Sequence, residues 1–347
     1  MAVAGCGTHR AVIVDRDGAQ ITAAEVLTYV EWTRALDDTS TARVTINPEG
    51  NCCERLANVR SWRHSLLIFR DNVAVWQGPI IQIEWGFGQV EISASDISAW
   101  LARRVPHESR SFTDTDLTEI ATWLIDDGFR PDDPGHQVET VAPARVRGGR
   151  AYTVNEGQTV DHLFDLAETG LDWTIIGSKF VLLPEDWSAA VGRLTEADMP
   201  EGLKVTEDGA SLATRWVVAG EEGGDLIGEA GGKDDYYGLL ERYVEQTSIT
   251  TAAASTDAAK AKLRTSRQAP VFIDTQEVTI SPQAAVNIPD LVPGWCLDVT
   301  TIRTCRKVSQ RLKITGLKVV EDAGSGDSPG AESVQVQVSA LAEAVNA

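Results

Sequence analysis

Between Trp62 and Arg104 the chain leaves almost no room for loops. The stretch reads WRHSLLIFRDNVAVWQGPIIQIEWGFGQVEISASDISAWLARR, and its alternation predicts four short strands running straight into one amphipathic helix. Leu66 and Ile68 line one face of the first strand, Leu67 and Phe69 the other, and the polar Arg70-Asp71-Asn72 ends it. Val73, Val75 and Trp76 return to Gly78-Pro79, where the chain bends and Pro79 has no amide hydrogen for a ladder. Ile81, Ile83 and Trp85 alternate up to a Gly86-Phe87-Gly88 turn, and Val90, Ile92 and Ala94 alternate back. Asp96 is placed to cap the helix, whose inner face is Ile97, Trp100 and Leu101, with Arg103 and Arg104 suited to its C-terminal dipole. This helix is expected to plug the open end of a small barrel, with Trp100 in the core.

Residues 1–106 read as one β-rich unit. Val12 to Val14 lead to an Asp15-Arg16-Asp17-Gly18 turn and Ile21. A longer strand through Leu27, Tyr29, Val30 and Trp32 changes phase near Val30, as a bulge requires. Ala42, Val44 and Ile46 alternate before a Pro48-Glu49-Gly50 turn. Residues 107–205 change character. Asp116 with Glu119 makes a capping-box-like start, Leu117, Ile120, Ala121 and Leu124 share a helical face, and Gly128 with Pro131 stops the helix. The segment 131–150, with Arg145, Arg147 and Arg150, reads as an exposed loop. A second helix follows, with Thr159 as cap and Val160, Leu163, Phe164 and Ala167 inward, ending at Gly170. Leu171, Trp173 and Ile175 then run into Gly177-Ser178, a two-residue hairpin signal, and Phe180 to Leu183 return. Residues 206–347 regain β character: strands at Leu212 to Val218, Val278 to Ile280, Leu297 to Val299 after a Pro293-Gly294 turn, an edge through Leu312 to Val319, and a half-buried last strand with Val334, Val336 and Val338. An Ala-rich helix reaches about Leu263. The expected fold is therefore mainly β with an α+β insert: two small β-barrels, 1–106 and 206–347, flank an α+β domain at 107–205, and the second barrel carries a helical insertion around 236–268.

At 347 residues and 43% hydrophobic, the chain can bury two or three cores. No apolar run approaches the length of a membrane-spanning helix. The opening MAVAGCGTHR does not read as a secretory signal, so assembly in a cytoplasm is expected. A net charge of −20 argues against nucleic-acid binding through the general field, which needs clustered Lys and Arg. Five cysteines, Cys6, Cys52, Cys53, Cys296 and Cys305, are an odd number without a CxxC pair, so neither a disulfide framework nor a zinc site is indicated. Cys296 and Cys305 could face each other across a hairpin, but cytoplasmic assembly favours free thiols.

Nothing in the sequence carries catalysis. Gly326-Asp327-Ser328-Pro329-Gly330 matches a nucleophile elbow in letters alone: no helical pattern follows it and no histidine lies beyond His162. Asp15-x-Asp17-Gly18 lacks the later carboxylate of a calcium loop and reads as a hairpin turn. The pairs Asp126-Asp127, Asp132-Asp133 and Asp234-Asp235 lie beside turn residues and read as solvated loops rather than glycosidase acids. The histidines His9, His64, His107, His136 and His162 have no metal-ligand spacing; His64 fits a barrel strand and His162 the first turn of a helix. No catalytic, cofactor-binding or metal residue is assigned, no cofactor is implied, and the chain is not expected to be an enzyme. Of ten tryptophans, Trp76, Trp85, Trp100 and Trp173 fall in patterned elements, where core or interface packing is the default over glycan binding.

The order strand, Arg-Asp-x turn, strand ending Trp-x-Gly-Pro-Ile, strand, Gly turn, strand, Asp-x-x-x-Trp-Leu resembles the first β-barrel of phage tail-hub proteins and of hub-type minor tail proteins from phages of actinobacteria. Two later phrases are similar to the same family: the run from Asp234 through Tyr237-Gly238 and Glu241 into the Ala-rich helix, and LVPGWCLDV at 291–299. The resemblance covers nearly the whole chain, best at 62–104 and 236–340, weakest at 107–160. It implies a virion structural protein at the tail tip, a homotrimer whose paired barrels make a pseudo-sixfold ring that closes the tail tube. Its implied partners are distal tail and tape-measure proteins and downstream tail-tip proteins, with phage DNA passing transiently and without specific binding; acidic walls would not grip it. Such work follows from symmetry and interface area. The 23 Arg to 8 Lys suit GC-rich coding. Rival readings are a receptor- or glycan-binding tip module, a cell-wall hydrolase, and the hub of a bacterial contractile injection system.

Overall fold

Strand pairing begins with β1 (His9–Val14) folded back on β2 (Gln20–Ala24) across the Asp15–Gly18 turn. β3 (Leu27–Ala35) pairs with β4 (Thr41–Ile46), and the register slips between Leu27 and Tyr29, next to the expected change of phase. A short α1 (Cys52–Leu56) precedes β5 (Ser65–Arg70), β6 (Val73–Gly86), β7 (Gln89–Ser95) and α2 (Ser98–Leu101). The turn at Asp71-Asn72 has φ of 49° and 67°, the left-handed pair that suits a two-residue hairpin. Four strands were expected here and three form. β6 runs unbroken for 14 residues, and Gly78-Pro79 marks a change of partner rather than an end: β5 pairs up to Pro79, β7 from Ile80. A Cβ on Gly78 would lie 1.9 Å from the Ser95 carbonyl oxygen, so only glycine lets β6 cross so close to β7. The computed structural model describes the chain apart from residues 1–3, 25–26, 48–51, 202–204, 208, 211, 221–225, 247–251, 267–270, 274–276, 302, 304, 306, 323–330 and 341–347. The expected Pro48-Glu49-Gly50 turn lies outside the described residues.

The central segment contains β8 (Arg110–Asp116), α3 (Leu117–Phe129), β9 (Gln137–Thr140), β10 (Arg147–Tyr152), α4 (Thr159–Ala167), β11 (Leu171–Ile176), β12 (Lys179–Pro184) and β13 (Ala190–Thr195). The segment 131–150 is thus not a plain loop. β9 adds parallel to β12, and β10 pairs with β8 as a two-stranded ribbon. Hydrogen bonding to a neighbour overrides the polar, Gly-rich composition there. Asp116 caps α3 as expected, accepting from the Thr118 N–H, but the cap of α4 is Gln158, one residue before Thr159. α2 is not a barrel plug. Ile97 and Leu101 join Ile120, Leu124, Leu163 and Trp173 in the α+β core, and Trp100 is half-buried at its margin.

Residues 204–274 form a compact unit of their own. β14 (Val205–Glu207) pairs with β18 (Val271–Ile273), and β15 (Arg215–Ala219) is flanked by β16 (Ile227–Gly231) and β17 (Glu241–Glu245). α5 (Ala252–Ser266) packs on β15 and β16, burying Ala259 and Leu263.

The chain returns through β19 (Glu277–Thr279), β20 (Cys296–Thr300), β21 (Ser309–Asp322) and β22 (Ala331–Ala340). The expected edge at Leu312 to Val319 lies instead mid-sheet. β22 covers one side of β21, while β20 and then β3 share the other. A 14-residue strand with Leu312, Ile314, Leu317 and Val319 buried is long enough to serve three partners. One twelve-stranded sheet results, in the order β13-β20-β21-β3-β4-β7-β6-β5-β1-β2, with β22 and β19 branching from β21. The chain is mainly β with an α+β insert. Among the described residues no strand path closes on itself, and strands from its first and last parts share this sheet.

Candidate assembly surfaces

The residues weighed for catalysis are scattered by the fold. Ser328 lies outside the described residues. Asp15 begins a hairpin turn: its carbonyl accepts from the Gly18 N–H, and the Asp17 carboxylate accepts from the Ala19 N–H. The Arg16 backbone N–H and the Arg63 guanidinium hold the Asp15 carboxyl below its usual range. Asp126 and Asp127 are not in a solvated loop but in α3. Asp127 is buried, accepts from the His107 N–H at 2.6 Å and pairs with Arg130. Asp132 is bound by Arg16 at 2.5 Å and Arg104 at 3.1 Å. Asp234 accepts from the N–H groups of Tyr236 and Tyr237, closing a turn. His64 lies just before β5 rather than in it, where its ring accepts from the Arg60 N–H, and His162 is in α4. Among the described residues no three His, Cys, Asp or Glu side chains gather to hold a metal, and Cys6, Cys296 and Cys305 are free thiols.

What the sequence did not reveal is a set of buried charges that fasten the sheet. Arg70 at the end of β5 grips Glu332 in β22 through Nε–Oε1 at 2.6 Å and Nη2–Oε2 at 2.7 Å. Gly7 donates its N–H to the same carboxylate. Burial opposes the charge on Glu332, but the Arg70 guanidinium wins and holds the carboxyl below the usual range. Beside it, Trp32 donates to His9 Nε2 at 3.0 Å, leaving Nδ1–H to donate to Glu321 at 2.5 Å. Arg34 is buried in β3, its guanidinium donating to the carbonyls of Pro289 and Val75, and burial brings it down to about 10. A second cluster joins the β3–β4 turn to the α+β layer. Lys313 bonds Asp172 and the Glu185 carbonyl, and the Asp37 carboxylate accepts from the Trp173 N–H at 2.7 Å. Two acids here share one base. Burial, then the neighbouring Asp172, pushes Asp37 up to about 7, and burial raises Asp172 against the pull of Lys313.

The surface carries aromatic groups and unpaired strand edges. Trp32, Trp76 and Trp173 are buried, whereas Trp85 is 52% exposed beside the fully exposed Phe87 at the β6–β7 tip. Trp100 meets Trp62 edge-on, with ring centroids 5.0 Å apart. Among the described residues β2 and β13 end the large sheet, the β8–β10 ribbon has no third strand, and β17 is paired on one side only. Unpaired edges invite another chain.

No protein-family model matches the sequence, and no curated protein matches it. Solved structures do. The chain is similar to the 43 kDa tail protein of prophage MuSo2 from Shewanella oneidensis, with 15% identity and a TM-score of 0.57 over 95% of this chain and 98% of that one. It is similar to the tail protein from Neisseria meningitidis MC58, with 13% identity and a TM-score of 0.56 over 95% and 96%. It is also similar to the E. coli c3393 protein, a component of the type VI secretion system with structural similarity to T4 bacteriophage tail proteins, at 10% identity and a TM-score of 0.51 over 91% and 74%. The chain has the fold these proteins share.

Proposed function

We propose that the chain is a structural protein of a phage-type tail, the hub or minor tail protein at the tail tip. The observation that carries this reading is the end-to-end likeness to two tail proteins, which spans 95% of this chain and nearly all of theirs. Three copies form a ring that closes the tail tube, with distal tail and tape-measure proteins on one side and downstream tip proteins on the other. The −20 charge suits a wall past which DNA slides without specific binding. The ring belongs to the virion, is assembled in the host cytoplasm and catalyses nothing; the Arg-rich composition fits an actinobacterial host. A reconstruction of the tail tip is the test: three copies at the distal end are expected, and six copies or one would overturn the ring. The likeness to the c3393 protein favours one second reading, the hub of a contractile injection system. A particle bearing a contractile sheath and no capsid would select it.

A further inference from the structure

The free strand edges differ in chemistry, and the difference chooses a partner. β17 reads Glu241-Arg242-Tyr243-Val244-Glu245, and β15 takes only one of its edges. Around it Tyr236 is 87% and Tyr243 60% exposed, with Leu239 also exposed, so three of the chain's five tyrosines (Tyr237 is the third) crowd one short stretch. The β8–β10 ribbon carries Arg110, Arg147 and Arg150, with Arg145 at its entrance. Among the described residues neither Arg110 nor Arg145 has a carboxylate partner, and Arg147 has only the exposed Asp114. Against these four arginines β8 sets Asp114 and the buried cap Asp116, which leaves the ribbon a basic patch on a chain of net charge −20.

Neither edge suits its own kind. An antiparallel pairing of β17 with β17 about Tyr243 would set Glu241 against Glu245, and pairing of β10 with β10 about its two glycines would set Arg147 against Arg150. Like charges directly opposite destabilise a ladder. The two edges suit each other: an antiparallel register of β17 on β10 that sets Glu241 opposite Arg150 lays Tyr243 over Gly148 and Arg242 over Gly149, and each strand gains backbone partners. We propose that β17 of one copy pairs with the β8–β10 ribbon of the next, joining copies head to tail. Because the two surfaces are different, the contact is heterologous, the kind that makes a ring where the rotation between copies closes. The inference rests on the proposed ring and names the strands that make it.

The test is sedimentation equilibrium of the purified full-length chain. Wild type is expected to self-associate at about 100 μM and to weaken as salt rises. Reversing one edge, Glu241→Arg with Glu245→Arg or Arg147→Glu with Arg150→Glu, is expected to weaken association by about tenfold or more. Combining the two reversals restores it. The ion pairs lost within each copy, Arg215–Glu241 and Arg147–Asp114, lie partly or wholly in solvent and matter little to folding, which circular dichroism of each variant checks. Should a reversal fail to fold, the salt dependence of wild type decides: association indifferent to salt rejects the contact. Association untouched by either reversal overturns this interface and leaves the ring standing on other surfaces. A wild type monomeric at that concentration also overturns the interface, whereas the copy number at the tail tip judges the ring.

Discussion

The two charge clusters of the large sheet each set two acids around one base, but only the one at Arg70 leaves its second acid exposed. Around Arg70, the guanidinium grips the buried Glu332 at two points and also reaches the exposed Asp71 at 3.1 Å, and Gly7 donates a third bond to Glu332. Around Lys313, two carboxylic acids compete for one ammonium. Both clusters tie together segments far apart in sequence. They differ in what a proton does. Glu332 has its carboxyl held below 4.5, so its contribution is fully present above that value and is lost as pH falls through the lower folded value. Asp37 has its carboxyl raised from 3.8 to about 7, so stability is greatest below 3.8 and is lost as pH climbs to about 7. One fastening resists neutral pH and yields to acid; the other does the reverse. Their two contributions together are expected to be greatest near mild acidity.

The sharpest way to break this contrast is to remove one partner of the matched pair. Glu332→Gln takes the buried carboxylate away from the buried Arg70 guanidinium, which keeps the exposed Asp71, and costs up to about 3–5 kcal/mol. The melting temperature should fall by roughly 6–20 °C at pH 7. A loss below about 1 kcal/mol would mean that water reaches Arg70 and that the grip is not sealed.

The unmatched cluster predicts a gain. Asp37→Asn keeps an oxygen for the Trp173 N–H and provides a donor toward Asp172, while removing the acid that burial resists. Stability at pH 8 should rise by about 2–4 kcal/mol, and the decline of wild type between pH 4 and 7 should flatten. Urea titrations at several pH values check both. A wild type that grows steadily more stable from pH 5 to 8, unaltered by the substitution, would show the two clusters to be alike.

These clusters also mark where the sequence stopped being legible. Alternation located β4, β5, β7 and β22, the Asp71-Asn72 and Gly177-Ser178 turns, and the Asp116 cap, because each depends on residues within a few positions of one another. Arg70 and Glu332 are 262 residues apart, Asp172 and Lys313 141, and no local pattern announces such partners. The same limit explains β21, which looked like an edge because its neighbour β3 lies near the other end of the chain. It explains β9 and β10 as well, whose polar letters hide strands held by pairing alone. The assembly surfaces were half visible. The aromatic residues at 85, 87, 236 and 243 stood in the sequence, but their exposure depends on which edges the fold leaves free.

Packing without charge supplies a reference for both clusters. Trp100 was expected in a barrel core and instead lies half-buried between Trp62 and the α+β layer, with Ile97 and Leu101 taking the inward positions. A fully buried Trp loses about 3–5 kcal/mol on truncation, so Trp100→Ala should cost about 2 kcal/mol. The loss should be the same at pH 5 and pH 8, because no titrating group is removed. A pH-dependent loss would tie Trp100 to the nearby Arg16–Asp132 pair, whose guanidinium lies 5.7 Å from its ring.

The smallest effect is expected where neither charge nor packing is engaged. Phe87 at the β6–β7 tip is fully exposed, and its neighbour Gly88 supplies the turn's positive φ of 77°. Phe87→Ser should change stability by no more than about 0.5 kcal/mol at any pH, as exposed substitutions do. A larger loss would mean that the tip folds against its own copy and that stability is not confined to the sheet. With stability unchanged, the particle tells what the tip is for. Tails that fail to assemble would make Phe87 and Trp85 an interface with another tail protein, as a structural role requires. Normal tails that no longer adsorb to cells would instead make the pair a receptor contact, and would move the exposed aromatic edge from assembly to recognition.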